Sequence, residues 1–264
     1  MAAYLTDVKP RDVAPLIDHT NLMPTAREAD IAKLCDEARE HGFASVCITP
    51  SRVVYAAKQL AGSSVAVCTV VGFPLGATDP ASKAYEAKQA IHAGASEIDM
   101  VVNNGLLYDS ILHDGSFGAY HADIVTVANA VSQSGGKVLK CIIETGYLSP
   151  QHVHRATEIV AEVAASYPSL RVYTKTSTGM AVDKLLVPKY DGKSANGARV
   201  GDLEIIAQVH ATRPDLKLGI KASGGVRTFA DVVLLLEAMG ARTKADITPD
   251  RYRIGASASV QIVS

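Results

Sequence analysis

Val172-Tyr173-Thr174-Lys175-Thr176-Ser177-Thr178-Gly179 is a short apolar run that ends in a lysine and then a turn of small residues. Leu218-Gly219-Ile220-Lys221-Ala222-Ser223-Gly224-Gly225 repeats the arrangement. Such runs, bounded by turn residues, read as strands covered on both faces, the kind found in parallel sheets. Working outward from these two, strands are expected at Leu16 to His19, Ala44 to Thr49, Val65 to Gly72, Glu97 to Val102, Val138 to Glu144, Arg171 to Thr176, Lys217 to Ala222 and Arg251 to Gly255.

Helical patterns fall between the strands. Thr25 and Glu28 have capping-box spacing ahead of Ile31, Leu34, Cys35 and Ala38, while Ser149-Pro150 and Asp79-Pro80 each offer an N-cap followed by proline at the first helical position. Gly42, Gly94 and Gly240 are placed to close helices, and the similar segments that follow Gly42 and Gly94 hint at a repeated βα unit. Eight strands alternating with helices over about 250 residues predict an α/β fold, a TIM (β/α)8 barrel, as a single domain over residues 1–264. A doubly wound open sheet is the alternative, and no GxGxxG fingerprint follows any of the expected strands.

Composition narrows the function. With 264 residues, 48% hydrophobic side chains and a formal net charge of −1, the chain can bury a large core and has no bias toward nucleic acid or acidic membranes. Its longest uncharged apolar stretch falls short of the roughly 20 residues that span a bilayer, and Met1 to Arg11 carries charges where a secretory signal is apolar, so a cytoplasmic location is expected. Cys35, Cys47, Cys68 and Cys141 show no CxxC spacing, and the histidines form no HExxH pair, so neither a metal site nor a disulfide framework is expected.

The two strand lysines are either surface residues of a misplaced strand or carriers of chemistry, and the apolar residues before them with the small-residue turns after them favour chemistry. An ammonium inside a strand covered on both faces loses its hydration and is rarely buried unless paired or discharged. Two such lysines close together would raise each other's cost of being charged, so that one could sit neutral and act as an amine nucleophile of the kind that forms a Schiff base. Lys140 is a third strand lysine, read either as a neighbour of Lys175 or as a structural partner of Glu144; Asp99 is a carboxylate in an apolar strand, suited to relaying protons. Asp18 is a similar candidate or a turn former, and Cys47 is placed as a pocket-lining residue. Gly224-Gly225 and Gly255-Ala256-Ser257, after the last two strands, offer backbone N–H groups to a phosphorylated ligand.

These residues together resemble the deoxyribose-phosphate aldolases. The segments that carry the likeness are Leu16-Ile17-Asp18-His19-Thr20, Glu97-Ile98-Asp99-Met100-Val101-Val102, Leu139 to Thr145, Thr174 to Gly179 and Ile220 to Arg227, and the similarity runs from about residue 14 to 260. The resemblance implies a class I aldolase, free of metal and cofactor, that interconverts 2-deoxy-D-ribose 5-phosphate with D-glyceraldehyde 3-phosphate and acetaldehyde. It implies Lys175 as the Schiff-base residue and Asp99 with Lys221 as the proton donor and acceptor pair. It places substrate against Asp18, Thr20, Cys47, Lys140, Thr178, Gly179, Gly224, Gly225, Gly255 and Ser257, and it implies a homodimer acting on a small phosphorylated sugar.

Three features depart from the family pattern. Met180 stands where many members have a lysine, which leaves Arg227 or Lys184 to support a phosphate, and Ala258 stands where a second serine is common. The segment Leu185 to Val200, rich in Lys, Gly, Ser and Asn, is expected as an extended loop on the catalytic face. A Schiff-base aldolase for another phosphorylated aldehyde, and a non-catalytic phosphate-binding barrel, are the competing readings.

Overall fold

The computed structural model describes residues 4–113, 115–189, 193–194 and 196–264. Among them, eight parallel strands pair in chain order and close a barrel, the last strand hydrogen-bonding to the first. They are β1 (Ile17–Asn21), β2 (Ser45–Ile48), β3 (Ala66–Val71), β4 (Glu97–Val101), β5 (Val138–Ile142), β6 (Arg171–Lys175), β7 (Leu218–Ser223) and β8 (Tyr252–Ala256). The expected TIM barrel is the observed fold, with every expected strand present and its ends displaced by no more than two residues.

The helices between strands are α2 (Glu28–His41), α3 (Val53–Gln59), α4 (Pro80–His92), α5 (Asn104–His113), α6 (Gly118–Gln133), α7 (Pro150–Ser166), α8 (Val200–Ala211) and α9 (Phe229–Ala238); α1 (Pro10–Val13) precedes the barrel and α10 (Ser259–Val263) follows it. Ser149 and Asp79 cap α7 and α4 as expected: the Ser149 hydroxyl accepts from His152 N at 3.4 Å and Asp79 Oδ1 from Ala81 N at 2.9 Å. The expected capping box at Thr25 and Glu28 is displaced. Arg27 is the N-cap of α2 and the box is closed by Asp30, whose Oδ2 accepts from Arg27 N at 2.8 Å, because Arg27 holds the extended backbone that a helix entry requires. Gly42 closes α2 in the left-handed conformation at φ 68°.

Register separates the two faces of the strands. Lys175 pairs with Lys221, Lys221 with Arg253, and Asp99 with Lys140, so these side chains share one face and project into the barrel. The alternate residues, among them Ile98, Met100, Leu139, Val172, Ile220 and Ile254, join helix residues such as Ile31, Ile124, Val153 and Leu236 in one apolar layer. Fully burying each such side chain stabilises the fold by roughly 1.5–3 kcal/mol. Inside the barrel, Cys47, Cys68 and Val70 form a separate small cluster against Leu22 and Phe73.

The expected loop Leu185 to Val200 contains residues 190–192 and 195, which lie outside those described. Its described parts include a two-stranded antiparallel ribbon, Pro188–Lys189 with Lys193–Ser194. Val182 N donates to the Tyr147 hydroxyl at 2.7 Å, Val187 N to Gly146 O at 2.9 Å and Ala198 N to Gly224 O at 3.1 Å, so the segment is attached to the catalytic face on both sides of the ribbon.

Candidate active site

Asp99 is the hub. Its Oδ2 accepts from Lys175 Nζ at 2.8 Å and from Lys221 Nζ at 2.7 Å, while Oδ1 lies 3.0 Å from Lys140 Nζ and accepts from Cys68 Sγ at 3.0 Å. Lys221 reaches on to Asp18 Oδ2 at 2.5 Å. Asp18 in turn accepts from the Arg253 guanidinium and, at 2.7 Å, from Ser45 Oγ. Arg253 also donates to Glu97, and Glu97 Oε2 accepts from Lys140 Nζ at 2.6 Å, which leads back to Asp99.

These contacts form a closed ring of alternating charge. Arg253, Asp18, Lys221, Asp99, Lys140 and Glu97 follow one another around it, three cations against three carboxylates, with Lys175 attached to Asp99 as an additional amine. Lys140, Lys221, Asp18 and Asp99 are 0% exposed, so each is stable as an ion only because its neighbours are. Burial acts to raise the Asp99 carboxyl, but Lys140, Lys175 and Lys221 hold it well below the usual carboxylate range. Asp18 is likewise held low, against its burial, by Arg253, Lys140 and Lys221. Burial acts to lower Lys221 and Lys140, yet Asp18 and Asp99 keep both above the ordinary lysine value. Gly255 makes room for this packing, since a Cβ there would lie 3.1 Å from Lys221 Cε and 2.9 Å from Ser223 Cβ.

At the carboxyl ends of the strands the barrel opens into a cavity of about 560 Å³. Lys175 borders it, whereas the six ring members do not. Thr20, Thr178, Gly179 and Gly224 border it as well, as do Gly225, Gly255 and Ser257. Three residues expected against substrate lie elsewhere: Asp18 and Lys140 sit in the ring, and Cys47 is fully buried beside Cys68, so none reaches the cavity wall. Of the two cations named as phosphate supports, Arg227 borders the cavity and Lys184 does not.

Lys140 does not pair with Glu144. Glu144 turns away through a left-handed backbone, φ 47°, and its Oε2 accepts from Thr178 N at 3.0 Å and from the Thr178 hydroxyl, fixing the Thr178-Gly179 turn at the cavity edge. The opposite edge is fixed by His19, whose Nδ1 lies 2.9 Å from Ser259 Oγ and whose Nε2 lies 2.8 Å from Glu37 Oε2, tying α10 to α2. Cys47, Cys68 and Asp99 bring ligand-type atoms within 4.8 Å of one another, a grouping that composition and spacing did not reveal. Three lysine ammonium groups already surround Asp99 there, so the local field opposes a metal cation.

Sequence reading missed Arg253 and Glu97 as members of the site. The signal was available, since each is a charge at or near the start of an apolar strand, the same anomaly that singled out Lys175 and Lys221.

A β/α barrel that holds an amine at its carboxyl mouth, backed by a fixed carboxylate and a fixed ammonium, has the parts of a carbon–carbon lyase of the imine-forming class. The comparisons with known proteins agree. The chain belongs to the DeoC/LacD family of aldolases, whose model matches residues 13–257. It is 40% identical over 252 residues to the deoxyribose-phosphate aldolase of Caldanaerobacter subterraneus subsp. tengcongensis, covering 96% of this chain and 92% of the relative. It is 41% identical to that of Enterococcus faecalis, covering 94% of each. Among solved structures, the tetrameric deoxyribose phosphate aldolase of Aeropyrum pernix superposes with a TM-score of 0.74 at 26% identity, covering 97% of this chain and 91% of that one.

Proposed function

We propose that Lys175 is the imine-forming residue of this class I aldolase, which reversibly cleaves 2-deoxy-D-ribose 5-phosphate to D-glyceraldehyde 3-phosphate and acetaldehyde. The observation that carries the reading is the charge count. Three cations and three carboxylates balance within the ring, so Lys175 is the surplus amine, and it is also the one that borders the cavity. Its Nζ attacks the substrate aldehyde, water leaves, and the iminium takes up the electron pair as the carbon–carbon bond breaks. Protons leaving or returning to the reacting atoms are handled by Asp99 and Lys221, 2.8 and 2.7 Å along the chain of contacts from Lys175.

Asp18 and Lys140 are positioning residues in this scheme, since neither touches Lys175: Asp18 holds Lys221 and Lys140 holds Asp99. Thr178-Gly179, Gly224-Gly225, Gly255 and Ser257 supply the backbone and hydroxyl donors for the substrate phosphate, with Arg227 adding charge at the rim. The four free cysteines fit a cytoplasmic workplace, and no helix among the described residues is long and apolar enough to cross a membrane. The assembly expected is a homodimer of single-domain subunits, or a multiple of it, as the tetrameric relative is.

The test is to incubate the protein with deoxyribose 5-phosphate in the presence of chelator, add borohydride, and map the peptide that gains mass. A reduced adduct on the Lys175 peptide together with acetaldehyde release is the expected result. An adduct without acetaldehyde points to a different aldehyde substrate, and a folded protein that forms no adduct overturns the assignment.

A further inference from the structure

The barrel has a second opening, at the amino ends of its strands. A cavity of about 550 Å³ lies there, bordered by Ala44, Ala66 and Val138 at strand entrances, on the face opposite Lys175. In barrels of this kind the amino face ordinarily serves stability. Here its charged wall consists of Lys137, Arg171, Lys217 and Arg253 against Glu97 and Asp250, an excess of two positive charges.

Pairing inside the cavity shows which cations are uncommitted. Arg171 is matched by Asp250 at 3.1 Å, and Arg253 by both Asp18 and Glu97, so the two rim lysines supply the cavity's uncommitted charge. Lys137 and Lys217 remain at the exposed rim, where Lys217 Nζ donates to the Pro168 carbonyl at 3.5 Å. Arg253, 5% exposed, forms part of the inner wall, and its Nε has no hydrogen-bond partner among the described residues. A guanidinium at the base, one of whose N–H groups lacks an acceptor, below two rim ammonium groups, gives the cavity a positive field suited to a doubly charged oxyanion.

We propose that this cavity is a second binding site, for the phosphate dianion of a small phosphorylated metabolite, with Lys137 and Lys217 at the rim and Arg253 at the base. The site is separate from the substrate cavity on the carboxyl face. It is continuous with the charge ring, because Arg253 and Glu97 belong to both.

The experiment must keep phosphate out of the substrate cavity. The five-carbon, phosphate-bearing reduced adduct on Lys175, verified by its mass against the two-carbon adduct left after cleavage, blocks that cavity, and inorganic phosphate is then titrated into the ¹⁵N-labelled adduct while amide shifts are followed, against sodium chloride at equal ionic strength. Saturable shifts at Ala44, Val138 and Ser169 under phosphate and not chloride are expected. The Lys137→Glu/Lys217→Glu double variant, which touches nothing at the carboxyl face, is expected to weaken that binding about tenfold or more while leaving turnover without phosphate unchanged. Absence of saturable shifts at those amides, or undiminished affinity in the double variant, overturns the proposal. The blocking step rests on the Schiff-base reading, and its failure is seen separately as a missing mass gain; unblocked protein then reports the amino-face amides by the same titration.

Discussion

Ile254 and Arg253 are neighbours in β8, both almost entirely out of water, and they solve the problem of burial in opposite ways. Ile254 faces the helices and joins a continuous apolar layer in which each side chain adds its own increment of removed surface. Arg253 faces the barrel axis and is tolerated because Asp18 and Glu97 accept its hydrogen bonds, each of them held in turn by a lysine. The outer layer is a sum of nearly independent terms. The inner ring is a circuit, and removing one member leaves two others uncompensated.

The sharpest way to break this comparison is at Lys175, which touches the ring without being needed for its balance. Lys175→Ala is expected to abolish imine formation and lower turnover on the order of 10⁴-fold or more. Its thermal midpoint should stay at or above that of the parent, because three cations still face three carboxylates. Initial rates and calorimetry on the same sample check both halves. A large drop in stability would show that Lys175 is an integral member and that the charge count is wrong.

Arg253→Met tests the circuit directly. The methionine has room where the guanidinium was, but Asp18 and Glu97 each lose a buried cation, and a loss of about 3–5 kcal/mol in urea unfolding is expected. Should the cost match that of an ordinary apolar truncation in the outer layer, the two faces would not differ in the way described.

This contrast also explains which features of the molecule are legible in its sequence. The outer layer determines strand and helix periodicity, so all eight strands were legible from their apolar runs, and the N-caps at Ser149 and Asp79 from local chemistry alone. The lysines in β6 and β7 stood out because each is a charge toward the carboxyl end of such a run. Which carboxylate each one meets depends on barrel closure and register, which bring residues as distant as Asp18 and Lys221 to 2.5 Å. No local signal carries that. Lys140 therefore found Glu97 and Asp99 instead of Glu144, and Cys47, on a strand whose interior positions are fully enclosed, packs against Cys68 instead of facing the cavity. The displaced capping box at Arg27 is a smaller instance, since Thr25 has the right residue type but the helix starts two residues later than its spacing implied.

Acid separates the two faces in a different way. His210 in α8 lies in the outer layer, with Nε2 3.1 Å from Thr174 Oγ1, and burial pulls its pKa down to about 4. The unfolded chain, with an ordinary histidine near 6.5, takes up the proton first, so the stability that neutral His210 contributes is present above about pH 6.5 and is lost as pH falls toward 4. The loss should amount to about 2–3 kcal/mol across that window. Asp18 and Asp99 have lowered values, so their contribution persists above the ordinary carboxylate pKa and disappears only in stronger acid. Urea midpoints from pH 7 to 4 are expected to fall in the parent and to flatten in His210→Gln. An equal slope in that variant would show that His210 is not the source of the acid sensitivity between pH 7 and 4.

The smallest expected effect tests the claim that the outer layer is additive. Ile254→Val removes one methylene from a fully buried position on the helix-facing side, and the loss of transfer energy with partial relaxation is about 0.5–1.5 kcal/mol. Because the side chain points away from the ring, the dependence of turnover on pH should match the parent, although the substitution sits one residue from Arg253 and two from β8's final residue, Ala256. The measurement is a urea titration paired with a pH–rate profile on the same preparation. A small stability loss with an unmoved profile confines the change to the apolar layer. A moved profile would mean that packing behind the strand sets the position of Arg253 and, through Asp18, of Lys221, so that the ring is held in shape from outside as well as by its own charges.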